Sequence, residues 1–229
     1  MKIAWKIEVP QWIILAAMFA AAAIAWPNAP DRIPVHWNIN GQVDRYGGKF
    51  EGLLLMPLFA LGVYVLMLVL PRIDPGRANY ARFSGAYRAI RIAILALFAV
   101  FDGVVQMWVW TGHVDIALIA PLAMGVASVF LGALLGKIRP NWFVGIRTPW
   151  TLSSKVSWVR THRAGGWLFM LVGLATIVAT FISPRIAFWA LIGGLVGGTV
   201  ALVVYSYLLW RQDPEKIPPA GTLPADEGR

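Results

Sequence analysis

The chain has 229 residues, of which 59% are hydrophobic and only 14% are charged, and its mean hydropathy is +0.66. A soluble domain carries about 25% charged and about 45–50% apolar residues, so this composition excludes a disordered chain and indicates that lipid is the solvent for much of it. Cysteine is absent, which excludes a disulfide framework, a thiolate nucleophile and a cysteine zinc site.

Six apolar stretches are long enough to cross a bilayer core, which takes about 17–25 helical residues. They cover residues 11–26, 53–70, 92–111, 116–136, 165–183 and 186–209. In lipid every backbone amide needs a partner within its own segment, so such long runs without alternation predict helices. The sequence therefore predicts an all-α integral membrane protein, built as a bundle of six transmembrane helices.

The first of these stretches is the shortest, with about 16 residues against the usual minimum of about 17. Its flanks also fit a cleavable signal peptide, because Lys2 and Lys6 precede it. We expect it to stay uncleaved and to form a helix that begins at Pro10, with Trp12 and Trp26 anchoring it at the two interfaces.

The lysine and arginine residues predict the orientation of the bundle. With the N-terminus in the cytoplasm, sixteen of the twenty basic residues fall on the inner side and four on the outer side. This bias is a strong positive-inside signal, so both termini are expected in the cytoplasm. The net charge of +9 is then explained by inner loops that meet anionic membrane lipids, and we expect no direct binding of nucleic acid.

The first loop, residues 27–52, is predicted to lie on the outer side and to contain a small β-ribbon. Apolar and polar residues alternate over 33–39, and Asn40-Gly41 supplies residues that tolerate positive φ in a tight hairpin turn. Two strands alone are marginally stable in water, so the ribbon is expected to lean on helix ends, on headgroups or on a bound partner.

Two metal sites are conceivable on the outer side, and the sequence favours neither. Side chains with oxygen atoms recur at every second position of the ribbon, at Asn38, Asn40, Gln42 and Asp44. A calcium loop would need a differently placed glycine and a closing glutamate, and turn formation explains these residues. A zinc site would need His36, His113 and Asp115, which contain no pair at helical spacing. We expect no metal and no cofactor.

The inner segment 71–91 predicts that the third helix begins early and lies partly along the membrane interface. Four residues recur there at helical spacing: Tyr80, Phe83, Tyr87 and Ile90. We interpret them as headgroup anchors in preference to a docking site for a partner protein.

The inner loop 137–164 is interpreted as a shaped cytoplasmic platform. Ser153 and Ser154 are predicted to cap a short helix. Three tryptophans are expected to hold the loop at the interface: Trp142, Trp150 and Trp158. His162 is the one histidine predicted on the inner side, and the serines near it are explained by caps and turns, so we expect no enzyme.

Asp102 is the one acid predicted within a span, where a carboxyl costs about 2.5–3.5 kcal/mol on insertion scales. Gln106 lies one turn further on the same face and could donate a hydrogen bond to it. The pair could couple the two sides of the membrane, form part of a proton path, or merely hold helices together.

Small residues form stripes on two spans and predict close helix packing in preference to a pore. They are Gly125, Ser128, Gly132 and Gly136 on the fourth span, and Gly193, Gly194, Gly197 and Gly198 on the sixth.

The platform also carries a recognisable motif. The run NWFVGIRTPWTL at 141–152, followed by Trp158, His162, Arg163 and Gly165, resembles the SdpI family of bacterial membrane immunity proteins. The run IPVHWN at 33–38, with Gly41, Asp44 and Lys49, looks like the outside-loop domain that often precedes this motif in the family.

The resemblance implies a six-helix protein of the bacterial cytoplasmic membrane that protects the cell from a membrane-active peptide toxin. It also implies that the protein could signal by holding an ArsR-type repressor at the membrane. The alternative is a small secondary transporter or exporter, although no broken helix near the midplane is evident.

The chain is therefore divided into an N-terminal membrane region, 1–91, an SdpI-like membrane domain, 92–209, and a cytoplasmic tail, 210–229, which is predicted to be flexible. We expect the ribbon to meet a peptide or lipid-borne ligand through His36, Trp37, Asn38, Asn40, Asp44 and Lys49. We expect the platform to stabilise the bundle or to dock a regulator through Asn141, Gly145, Arg147, Thr148, Pro149, Trp158, His162 and Arg163.

Overall fold

The structure, a computed structural model, describes residues 5–217, and these contain six helices long and apolar enough to cross a membrane. Residues 1–4 and 218–229, which include Lys2, Arg229 and most of the predicted flexible tail, lie outside the described range. The long helices are α1 Trp5–Ala25, α2 Leu55–Ile73, α3 Ser84–Thr111, α4 Ile116–Leu135, α6 Lys155–Thr180 and α7 Pro184–Gln212. The short elements are β1 Ile33–Trp37, β2 Val43–Gly47 and α5 Pro149–Leu152.

All six predicted spans are confirmed as helices, but several begin earlier than the apolar runs. α1 begins at Trp5, so the prediction that Pro10 starts the helix is wrong: Pro10 lies inside it. A 3₁₀ segment, Arg77–Phe83, leads into α3, in agreement with the early start predicted for the third helix. α6 begins at Lys155, well before residue 165, because the side chain of Ser154 caps it. α2 is preceded by a π-helical turn, Phe50–Leu54.

Contacts between the connecting segments define two ends of the bundle. At one, which we call the ribbon end, the β-ribbon contacts the first residues of α4 and of α7. At the other, which we call the platform end, the segment after α2 bonds to the loop between α4 and α5, and the residues after α7 bond to Ser153 and Ser154. Each long helix runs from one end to the other.

α4 and α6 pack backbone to backbone through the predicted small residues. A methyl group built on Gly132 would lie 2.7 Å from the carbonyl oxygen of Gly166, and one on Gly125 would lie 2.7 Å from Ile177. The prediction of close packing is thus confirmed for these positions, since only a missing side chain permits such an approach. Gly136, Gly193 and Gly197 face open space instead, so the stripes are used only in part.

The aromatic residues around the start of α3 form a core at the platform end. Tyr80, Phe83 and Tyr87 are buried together with Trp158, and the rings of Tyr80 and Tyr87 meet edge to face at 5.1 Å. The interpretation of these residues as headgroup anchors is therefore wrong. Helical spacing of large residues is the same for an interfacial helix as for one that faces a core, and here the core of α2, α4 and α6 covers them.

Candidate ligand site at the ribbon end

The predicted β-ribbon is confirmed. β1 pairs antiparallel with β2, with His36 opposite Arg45 and Trp37 opposite Val43. In the turn Gly41 has a φ of +77°, while Oδ1 of Asn38 accepts the N–H groups of Asn40 and Gln42 at 2.9 and 3.1 Å. The side-chain oxygen that a calcium loop would have used is thus engaged in shaping the hairpin.

The ribbon rests on helix ends, which is one of the three supports expected from the sequence. Ile33 is fully buried in a cluster with Leu53 and the end of α1. At the tip, Gly41 lies against Ala117 at the start of α4. Nε of Arg185, at the start of α7, donates to Oδ1 of Asn40 at 3.0 Å. The tip is therefore held over the gap between α4 and α7.

A cavity of about 460 Å³ lies beneath the ribbon, between the first turns of α4 and α7. Four of the six predicted ribbon residues line it: His36, Trp37, Asn38 and Asp44. Its walls are apolar and come from both helices: Ile116, Ala117, Ala120, Pro121 and Met124 of α4, and Pro184, Phe188, Leu191 and Ile192 of α7. The remaining two predicted residues lie outside the lining, Asn40 bonded to Arg185 and Lys49 donating to the carbonyl of Trp26 at 3.3 Å.

The polar roof of this cavity is organised around one exposed pair. Nδ1 of His36 and Oδ1 of Asp44 are 2.6 Å apart across the two strands. The bond fixes the imidazole ring and leaves its Nε2 for another partner. Outside the cavity, Arg45 of the ribbon pairs with Glu51 at 2.7 Å, and Arg32 lies over the ring of Tyr46 at 5.1 Å.

At the platform end, the predicted residue Asn141 is buried and ties the loop into a turn. Its Oδ1 accepts the N–H groups of Phe143 and Val144 at 3.0 and 2.7 Å, and its Nδ2 donates to the carbonyls of Arg139 and Val144. All of these partners are backbone groups of the same loop, so Asn141 acts here as a structural residue.

His162 and Trp158 are likewise buried structural residues. The N–H of Ile146 donates to Nε2 of His162 at 3.0 Å, so Nδ1 carries the proton that it donates to the carbonyl of Trp158 at 2.8 Å. Gly145 has a φ of +106°, and a methyl group on it would collide with Nε2 of His162. Trp158 is fully buried and donates to the carbonyl of Ile138, so its predicted role as an interfacial anchor is wrong.

Thr148 and Pro149 begin α5 and connect the platform to α7. The side chain of Thr148 caps this short helix through the N–H of Thr151 and lies 3.0 Å from Oγ of Ser206 in α7. Arg147 is exposed and donates to the carbonyl of Trp142 at 3.1 Å. Pro149 and Arg163 are also exposed. Of the eight predicted platform residues, these three exposed ones can still meet a partner.

The residues after α7 are hydrogen-bonded to the platform. Oγ of Ser154 donates a hydrogen bond to Asp213, and this bond holds the pKa of the Asp213 carboxyl below its ordinary value. The N–H of Ile217 donates to the carbonyl of Ser153 at 2.9 Å. Residues 210–212 continue α7, so the described part of the predicted flexible tail is ordered by these contacts.

Sequence reasoning missed Asp74 as an organiser of the platform. Its carboxylate accepts the N–H of Trp142 at 3.1 Å, the hydroxyl of Tyr80 at 2.8 Å and the N–H of Gly76 at 2.6 Å. These bonds join the end of α2 to the loop after α4. The run Asp-Pro-Gly at 74–76 was a usable turn signal, but its partner lies 68 residues away in the sequence.

A buried ion pair within the bundle was also missed. Nη2 of Arg91 in α3 donates to Oε1 of Glu8 in α1 at 2.6 Å, and the two side chains are only 1% and 3% exposed. Tyr64 of α2 donates to the other Glu8 oxygen at 3.2 Å and accepts from Trp12 at 2.8 Å. Each of the two residues lies just outside a predicted span, 11–26 or 92–111, so the sequence alone assigns both charges to loops.

Asp102 and Gln106 are both buried on one face of α3, as their spacing predicted. Oδ1 of Asp102 and both amide atoms of Gln106 have no hydrogen-bond partner among residues 5–217. The pair lies away from the lining of the ribbon cavity, and its role stays a prediction.

The fold defines a multi-pass helical membrane protein with a β-ribbon that roofs a cavity at one end of its bundle. Residues 137–206 match the SdpI/YfhL protein family, and residues 13–61 match a domain of unknown function, DUF1648. The resemblance of this chain to the SdpI family is thereby confirmed over residues 137–206.

Among characterised proteins, the chain is similar to the Immunity protein SdpI of Bacillus subtilis (strain 168). The two are 24% identical over 170 residues, which cover 74% of this chain and 79% of that protein. No solved structure matches the chain. The ribbon lies within the first matched region and the start of α7 within the second, so the two regions meet at the ribbon cavity.

Proposed function

We propose that this chain is a membrane immunity protein that gives a bacterial cell resistance to a membrane-active peptide toxin. The single observation that carries the proposal is that His36, Trp37, Asn38 and Asp44 line one cavity in a chain similar to an immunity protein. A cavity that combines apolar walls with a few convergent polar groups is the usual form of a ligand site.

The proposal places the protein in the bacterial cytoplasmic membrane, with the ribbon end outside and both termini in the cytoplasm. What supports this orientation is the excess of lysine and arginine in the segments of the platform end. A toxin that approaches from outside would then meet the ribbon cavity before it reaches the membrane core.

The repressor-holding role belongs to the same proposal but rests on fewer residues. Arg147, Pro149 and Arg163 are exposed at the platform end, where an ArsR-type repressor would have to bind. If they form its surface, the change Arg147→Ala with Arg163→Ala would release a fluorescent repressor from the membrane into the cytoplasm while resistance is kept. A repressor that never locates to the membrane in cells with the unaltered chain would contradict this role.

Resistance can be tested in a B. subtilis strain that lacks its own immunity protein and is exposed to its peptide toxin. Expression of this chain is expected to restore growth, and the double change His36→Ala with Asp44→Ala is expected to abolish the protection. A matched control is Arg32→Ala with Tyr46→Ala, since this stacked pair lies on the same ribbon outside the cavity lining. Absence of protection by a chain that is present in the membrane at normal levels would contradict the proposal.

A further inference from the structure

The walls and the roof of the ribbon cavity differ sharply in chemistry. The side chains from α4 and α7 are all apolar, and they belong to the first two to three turns of each helix. In a membrane-spanning bundle these turns lie where the hydrocarbon core meets the headgroups. The roof, from the other direction, is made by the ribbon, where the polar His36, Asn38 and Asp44 lie beside the apolar Trp37 and Ile39. An occupant therefore needs an apolar face toward the helices and some polar groups toward the ribbon.

The volume of the cavity fits several side chains of a larger molecule. Its 460 Å³ falls within the range of about 300–1,000 Å³ typical of ligand pockets. A cavity of about 150 Å³ holds one benzene, so this one holds roughly three apolar groups of that size.

A second groove, also lined by α4, differs from the ribbon cavity in its chemistry. It has about 550 Å³, lies between α3 and α4, and is lined only by apolar residues, among them Ala93, Ala123 and Phe130. Such a groove suits a lipid acyl chain, which needs no hydrogen-bonding partner. In the ribbon cavity an acyl chain would leave Nε2 of His36 and the second oxygen of Asp44, which their mutual bond does not engage, facing hydrocarbon, and burying polar atoms without partners is costly.

We propose that the ribbon cavity binds an amphipathic peptide segment that lies in the outer interface, with its apolar side chains between α4 and α7 and its polar groups against the ribbon. The inference rests on the proposed function, because it names the chemistry of the toxin segment that the immunity site recognises. Because Nδ1 of His36 donates to the Asp44 carboxylate, Nε2 of the ring and the second oxygen of Asp44 can accept hydrogen bonds from backbone N–H groups that such a segment exposes.

The two grooves offer a matched test by photo-crosslinking. Phe188 lines the ribbon cavity, Phe130 lines the α3/α4 groove, and both side chains are exposed. Each is replaced in turn by the photoreactive benzoylphenylalanine in the B. subtilis strain described above, and the cells are exposed to the toxin and illuminated. We expect a covalent toxin adduct at position 188 and lipid adducts alone at position 130. Lipid adducts alone at 188, or toxin adducts of equal yield at both positions, would overturn the inference.

A second variant tests the apolar walls without altering the roof. Ala120 lines the ribbon cavity and Ala123, one turn further along α4, lines the other groove. Ala120→Leu is expected to lower the adduct yield at 188 by about tenfold, because the leucine fills the space that one aliphatic side chain of the bound segment would occupy. Ala123→Leu is expected to leave it unchanged. Equal yields from the two variants would overturn the inference.

Survival and adduct position separate the two proposals. Protection without a toxin adduct at 188 contradicts the cavity and leaves the immunity function standing. A toxin adduct at 188 without protection supports the cavity and contradicts the immunity function. Absence of both contradicts both.

Discussion

The buried pair of Glu8 and Arg91 predicts a large and specific loss of stability. Nε and Nη1 of Arg91 have no hydrogen-bond partner among the described residues, and the Tyr87 ring lies 5.7 Å from the guanidinium carbon, so the Glu8 carboxylate is the main compensation for this buried charge. Glu8→Gln keeps the size of the side chain and removes its charge, which leaves the arginine buried and uncompensated. Removing one partner of a buried ion pair costs about 3–5 kcal/mol.

Thermal unfolding of the purified protein in detergent, followed by circular dichroism, measures this loss. At about 2–4 °C per kcal/mol for a chain of this length, Glu8→Gln is expected to lower Tm by roughly 6–20 °C. The double variant Glu8→Gln with Arg91→Met is expected to recover most of the loss, because no unpaired charge remains. Glu51→Gln is the control, since its pair with Arg45 is 32% and 60% exposed and such pairs contribute about 0–1 kcal/mol. Equal effects of Glu8→Gln and Glu51→Gln would refute the reasoning.

The remaining predictions concern helix packing and the closing of the platform. Gly132→Ala places a methyl group against the α6 backbone and is expected to destabilise the bundle by about 1–3 kcal/mol. Gly197→Ala, whose methyl group meets open space, is expected to be neutral or stabilising. Equal changes in Tm for the two variants would contradict the close packing of α4 on α6. The hydrogen bond from Ser154 lowers the pKa of Asp213. The stabilisation that this bond gives to the contact between residues 213–217 and the platform is therefore complete above the ordinary carboxyl pKa of about 3.9, and it is lost as pH falls through the lowered value. Amide exchange at Ile217, corrected for its intrinsic rate, is therefore expected to quicken below about pH 4. Ser154→Ala is expected to weaken this pH dependence, since the N–H of Glu215 still donates to Asp213.

The number and approximate position of the spans were predictable from the sequence, because bilayer thickness sets a minimum length for an apolar run. The helix ends were not. α1 begins at Trp5 and α6 at Lys155, in segments that are too polar to be recognised as spans. Contacts made only in the fold stabilise these turns, such as the burial of Glu8 against α3 and of Trp158 against the aromatic core.

The ribbon was predictable for a different reason. Alternation over 33–39 and the Asn-Gly turn are local signals, and the structure has strands at these positions. The cavity beneath the ribbon was not predictable, because its walls come from α4 and α7, and the bond that holds the tip joins Asn40 to Arg185, 145 residues further on.

The platform motif resembled a functional surface because its residues are polar and aromatic. The structure uses Asn141, His162 and Trp158 mainly to hold its own backbone. From sequence alone, a residue that bonds its own loop cannot be distinguished from one that bonds a partner, since the same donors and acceptors serve both.

The proposed function requires that the ribbon end and the platform end face opposite sides of the membrane, with the ribbon outside. Because the chain has no cysteine, single-cysteine variants report each end without a background. Tyr46→Cys on the ribbon and Trp142→Cys on the platform are suitable, since these side chains are 44% and 55% exposed. In intact cells, with the outer membrane permeabilised where there is one, a membrane-impermeant maleimide is expected to label position 46 at once and position 142 only after the cytoplasmic membrane is opened. Labelling of position 142 in intact cells, or of both positions alike, would contradict the account.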